Sequence, residues 1–228
     1  MTTLQYVKRA AWLLAALPVV ALAHGVSGRD AGFITSLKGV NIAPFVYLGA
    51  KHMVTGYDHL AFLAGVIFLL YRLRDVALYA SLFALGHSIT LLGAVLLGYR
   101  ANPFVVDAII GLSVVYKGFE NIGGFSGLKW RIDPRAAVLG FGLAHGLGLA
   151  TKLQELHLSR DGLASNLVAF NVGVELGQLA ALTLMVLLFT LWRSTRNFRP
   201  AIYPANVLLM IIGFTLAGYQ LAGYFLHR

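Results

Sequence analysis

Five imidazole or carboxylate side chains interrupt the apolar runs of this chain: Asp58, His59, His87, His145 and Glu175. Each falls near the middle of a stretch that is otherwise Leu, Ala, Val, Ile, Phe and Gly. An ionisable group buried in hydrocarbon costs several kcal/mol unless it finds a partner. One such residue reads most simply as an interhelical hydrogen bond. Five at a similar depth on four segments read as ligands converging on one cation. Imidazole and carboxylate donors suit nickel, cobalt, zinc, iron or manganese. The chain has no cysteine and only four methionines, which excludes thiolate sites and argues against a Cu(I) route. Three histidines also argue against calcium and magnesium, which prefer shells of oxygen.

Other polar residues extend the pattern. His52 precedes His59 by seven residues, so in a continuous helix it shares that face about 10 Å further out, on a route to the site. Ser88 follows His87. Asn171, Glu175 and Gln178 are spaced i, i+4, i+7 and form one polar stripe. Gly142, Gly146 and Gly148 flank His145, where small residues let helices approach closely. Lys117 and Glu120 are three apart and predict a structural ion pair towards the inner end, with Glu120 a further carboxylate donor. Asp107, near an outer end, is expected to be solvated. The stretch Phe83–Leu91 aligns with Phe141–Leu149 and matches His87 to His145, a hint of an internal repeat.

These residues need a scaffold, and the composition defines it. Of 228 residues, 58% are hydrophobic and only 12% charged, with a mean hydropathy of +0.76. A soluble domain carries about 25% charged residues, and disorder needs still more charge and less hydrophobicity. The reading is an all-α integral membrane protein. Spans are expected at about 45–71, 76–99, 103–123, 136–152, 164–192 and 201–226, six in all, with the remaining prolines near their boundaries. Before them, Lys8-Arg9, an apolar run from Ala10 to Leu22 and Ala21-Leu22-Ala23 have the pattern of a cleavable signal peptide over 1–23. Cleavage would leave a single transmembrane domain, 24–228. His24 would then lead the chain, its free amine and imidazole able to chelate a metal together.

The net charge of +9 comes from basic residues scattered between apolar runs, which is a topology signal rather than a nucleic-acid footprint. Loops 72–75, 124–135 and 193–200 hold Arg72, Arg74, Lys129, Arg131, Arg135, Arg193, Arg196 and Arg199. Loops 100–102 and 153–163 and the tail hold Arg100, Arg160 and Arg228. The first set belongs in the cytoplasm, and both mature termini then lie outside.

Taken in order, Gly49-x-x-His52-x-x-Thr55-Gly-Tyr-Asp-His59, His87-Ser-Ile-Thr90, Glu120-Asn121, Phe141-Gly-Leu-x-His-Gly-Leu-Gly148 and Phe170-Asn-x-Gly-Val-Glu-x-Gly-Gln178 resemble the HupE/UreJ family, in its second branch. These are bacterial membrane proteins associated with hydrogenase and urease systems. The resemblance implies a signal peptide, about six helices in the bacterial inner membrane, and nickel uptake. It carries the family's first-helix histidine and Asp-His motif onto His52, Asp58 and His59. Met53 stands where the nickel-permease branch often has proline, which bears on the identity of the metal. The function expected is a secondary permease for a divalent transition metal, nickel first, then cobalt or zinc; no Walker motif is present. The alternatives are an intramembrane zinc-dependent hydrolase and a metal-sensing or accessory subunit. The partners expected are the lipid bilayer and the metal ion, with a homo-oligomer or an accessory protein left open and nucleic acid excluded. Intact-mass measurement of the purified protein should show a chain that starts at His24; a mass that includes Met1 would refute the cleavage.

Overall fold

The computed structural model describes residues 32–33, 37, 39–127, 132–155 and 159–226. The expected signal peptide and His24 lie outside the described residues. Among those residues the chain is all helical: α1 (Ile42–Thr55), α2 (Tyr57–Ile67), α3 (Leu73–Leu97), α4 (Pro103–Asn121), α5 (Pro134–Glu155), α6 (Leu163–Arg193) and α7 (Phe198–Leu226). Four of them, α3, α5, α6 and α7, are long and apolar enough to cross a membrane.

The boundaries follow local chemistry. Helix α4 opens with the Asn102 side chain accepting from Val105 N–H and Pro103 in the first turn, where its missing N–H is harmless. Helix α3 ends at Gly98, in the left-handed region at φ +69°, a geometry that suits glycine. Two expectations are corrected. The span 45–71 is not one helix but α1 and α2, separated at Gly56, whose ψ of 94° leaves the helical region. Pro204, expected at a boundary, lies inside α7, because that helix already begins at Phe198.

Three close helix pairs make up the body, each built on glycine. Helices α3 and α5 run parallel: a Cβ on Gly86 would lie 2.4 Å from the Leu139 carbonyl, one on Gly142 2.4 Å from that of Phe83, and one on Gly146 2.1 Å from that of His87. Thr90 Oγ1 donates across this seam to the Leu143 carbonyl at 2.7 Å. The aligned stretches that contain His87 and His145 are therefore packed side by side. Helices α1 and α6 are also parallel, with Gly49 against Phe170 and Gly173 against Val46. Helices α4 and α7 are antiparallel, with Gly111 against Gly213 and Ala217, and Gly118 against Asn206. Small residues at such seams allow backbone contact, which lipid tails alone would not drive.

Short α2 lies among these pairs, touching α1, α3, α4, α6 and α7. Its C-terminal carbonyls are collected by Arg193 at the end of α6, which donates to Ile67, Phe68 and Leu70 and lies over the Tyr71 ring. The last carbonyls of a helix have no partner within it, and the guanidinium supplies the missing donors.

Gly146→Val should wedge α3 from α5 and destabilise the protein by about 1–3 kcal/mol, read as a lower unfolding temperature in detergent. Gly140→Ala, at a position with open space beside it, should leave that temperature unchanged or slightly raised.

Candidate metal centre

The break in the first span builds the site. At Gly56 the chain leaves α1 and restarts as α2, whose first residues are Tyr57, Asp58 and His59. Gly56 N–H still bonds to the His52 carbonyl, and Gly56 O accepts from Leu60 N–H. A Cβ at Gly56 would lie 3.0 Å from His59 Nδ1 and 3.3 Å from Asp58 Oδ1, so glycine makes room for both side chains. Asp58 sits in the first turn of α2, where the helix dipole favours a carboxylate.

Asp58 and His59 are both buried, and Asp58 Oδ1 lies 3.1 Å from His59 Nδ1. The carboxylate can only accept, so Nδ1 carries the proton and donates, leaving Nε2 with the lone pair. His59 Nε2 has no partner among the described residues. On α5, His145 is fully buried with Nε2 3.3 Å from Ser113 Oγ. Ser113 already gives its proton to the Ile110 carbonyl at 2.6 Å. It therefore accepts from His145 Nε2–H, which makes Nδ1 the lone-pair nitrogen of that ring.

Asp58, His59 and His145 each offer one ligand atom, and these atoms lie within 4.8 Å of one another. The His59 and His145 rings are 4.7 Å apart, centre to centre. Phe62 and Phe83 pack against His145, so the cluster has apolar walls. The adjoining cavity is about 20 Å³ and is lined by His52, Asp58, His59, His145, Asp107 and Lys152, among others. That is room for one ion or one water.

The other expected residues fall in three places. His87 sits beside the cluster, its ring centre 5.8 Å from that of His59, with neither ring nitrogen bonded among the described residues. His52 lies closer than a continuous helix would place it, with rings 5.1 Å apart, across the point where Gly56 leaves the helical region at ψ 94°. Glu175 is exposed and lines a separate groove of about 720 Å³ between α3 and α6, with Ser88, Asn171 and Gln178. Asn171 donates to Ser88 and Gln178 to the Ala80 carbonyl. The separation is rotational. Gly173 and Gly177 face α1, and Glu175, two residues from each, is turned by about 200° around the helix.

Towards the C-terminal end of α4, Lys117 and Glu120 form the expected ion pair, and Asn121 bonds to Asn206 and to the Gly65 carbonyl. Asp107 is not solvated. It is buried and accepts two hydrogen bonds from Lys152, at 2.8 and 3.1 Å, and one from Gln220. Its helix turns it inward, where Lys152 of α5 and Gln220 of α7 supply these donors. Type and spacing in the sequence do not mark Ser113, Lys152 or Arg193 as functional; a lone polar residue at mid-helix depth is the one signal that Ser113 carries.

Fold and site together define a helical membrane protein with a buried His/Asp cluster in its centre. A family model described as HupE / UreJ protein matches residues 28–228, and the chain belongs to that family. No curated protein and no solved structure matches it.

A buried nitrogen without a partner costs about 1–3 kcal/mol. His87→Leu should therefore raise the unfolding temperature of metal-free protein while weakening its affinity for nickel, cobalt or zinc. Stability and affinity that fall together would make His87 a packing residue only.

Proposed function

We propose that the protein is a secondary permease for a divalent transition metal ion, nickel first, then cobalt or zinc. The observation that carries this reading is the buried Asp58–His59–His145 cluster, formed where a membrane helix is interrupted. Irregular backbone at membrane depth is tolerated where it lines a cavity, and broken helices with charged groups at their ends are how transporters build ion sites. The family resemblance, with nickel uptake as its usual activity, points the same way.

Asp58 orients His59 and supplies negative charge, His59 and His145 offer lone pairs, and His87 stands ready as a further imidazole. The cargo ion would exchange its hydration for these donors and displace the proton of any imidazolium among them. His52 lies beside the cavity on its outer side. The groove that contains Glu175, Ser88, Asn171 and Gln178 is assigned no direct ligand role in this reading. Six crossings are proposed, with α1 and α2 counted as one, in the bacterial inner membrane with both mature termini outside. The parallel pairs α1/α6 and α3/α5 and the antiparallel pair α4/α7 support that alternation. A cavity of about 20 Å³ supports an ion site better than a hydrolase cleft, which must also admit a lipid or peptide bond.

Proteoliposomes should take up nickel, cobalt or zinc, and His59→Ala or His145→Ala should abolish both uptake and equilibrium binding. Asp58→Asn, which leaves the imidazole but removes the charge that orients it, should weaken binding about 10–100-fold. Binding should also weaken as the medium is acidified, since a protonated imidazole has no lone pair to give. Bound metal without uptake would favour the hydrolase or an accessory role, and an absence of bound metal would refute the site.

A further inference from the structure

The ion pair between Asp107 and Lys152 does not behave as a surface contact. The Asp107 carboxylate is 5% exposed, and Lys152 meets both of its oxygens, at 2.8 and 3.1 Å. Both residues line the same small cavity as His52, Asp58, His59 and His145. Helices α4 and α5 run past each other here in opposite directions, so their side chains pair in rungs. His145 meets Ser113 in one rung. Lys152, seven residues beyond His145, meets Asp107, six residues before Ser113, in the next. The helical rise puts about 10 Å between the two rungs. The Asp107 rung lies towards the ends of α4 and α5 that the loop charges place outside, and His52 lines the cavity that Asp107, Lys152 and His145 share. The remaining Asp107 contact is a donor as well, Gln220 Nε2 at 3.2 Å.

From this geometry we infer that Asp107 is a second docking carboxylate for the divalent cation, on the outer side of the cluster. Lys152 is its tethered competitor. The ammonium sits against both carboxylate oxygens, where an incoming ion would bind. Entry to the cavity then requires the ion to displace Lys152, whose long, flexible stem reaches the partly exposed rim and allows the ammonium to swing outward. While Lys152 is in place, it occupies both carboxylate oxygens and the two charges cancel. When an ion replaces it, the ion is held one rung from His59 and His145, and Lys152 repels a following cation. The inference rests on the permease reading and adds to it the pair that controls access.

The test uses detergent-purified protein equilibrated with nickel, with elemental analysis of bound metal, and nickel uptake by proteoliposomes. Lys152→Met should allow a second nickel ion per chain to bind, and Asp107→Asn added to it should remove that ion again. Asp107→Asn alone should keep the inner ion but slow uptake at low nickel about tenfold or more, the scale of a lost steering charge in a narrow cleft. Lys152→Arg, which keeps the cation, should bind as the unaltered protein does. A Lys152→Met protein with the unaltered metal count overturns the inference, as does unaltered uptake by Asp107→Asn, the deciding variant should Lys152→Met fail to fold. In both cases the unaltered protein still binds and transports nickel. If it does neither, the permease reading itself fails, and the two failures are told apart.

Discussion

Hydrocarbon offers no hydrogen bonds, so a helix can be interrupted inside a membrane only if the protein completes both ends that the break creates. Gly56 is that break. Its N–H bonds to the His52 carbonyl at the end of α1, and its carbonyl accepts from Leu60 N–H at the start of α2. The new N-terminus opens onto Asp58 and His59, which turns the same requirement into a site, while Arg193 from α6 takes the carbonyls at the far end of α2. The carboxylate at the start of α2 is favoured by the helix dipole and by the His59 N–H. Without the break, His52, Asp58 and His59 would lie along a regular helix, and the ring of His52 would stand much further from that of His59.

Glycine makes the second contribution, through distance. The imidazoles of α2, α3 and α5 meet because the backbones of α3 and α5 touch at Gly86, Gly142 and Gly146. Gly86, Gly142 and Gly146 meet backbone across the seam and Thr90 bonds to the Leu143 carbonyl there, so the side chains beside it, His87 and His145, are brought to the common interior. A packed interior does not deform smoothly. A wider seam would leave the ligands at the same height yet too far apart to share an ion.

Helix α4 is the polar spine of the bundle. It carries Asp107, Ser113 and Lys117 on buried positions, and each is answered by a neighbour: Lys152, His145 and Glu120. This explains why α4 is not among the helices apolar enough to cross a membrane by composition, although it packs as tightly as they do. Its polar groups face the interior and lie above, beside and below the His/Asp cluster. A route for a cation through this bundle would follow α4.

The amino-acid sequence by itself determined the class: low charge and long apolar runs leave no soluble alternative, and ionisable residues inside those runs must find partners. It also grouped Asp58, His59, His87, His145 and Glu175 by type and depth, of which the structure clusters Asp58, His59 and His145 with His87 beside them, and it paired Lys117 with Glu120 by spacing. Rotation and backbone interruption were not legible. Glu175 shares its depth with the histidines but faces the other way, since the glycines of α6 commit the opposite face to α1. Gly56 reads as one more glycine in an apolar run until ψ and the close approach of His59 and Asp58 show it as a break. Asp107 reads as a solvated end residue until α5 brings Lys152 to it. Depth is a one-dimensional property that sequence spacing records, whereas the direction a side chain faces depends on which neighbouring helix claims each face, and only the packed tertiary structure decides that.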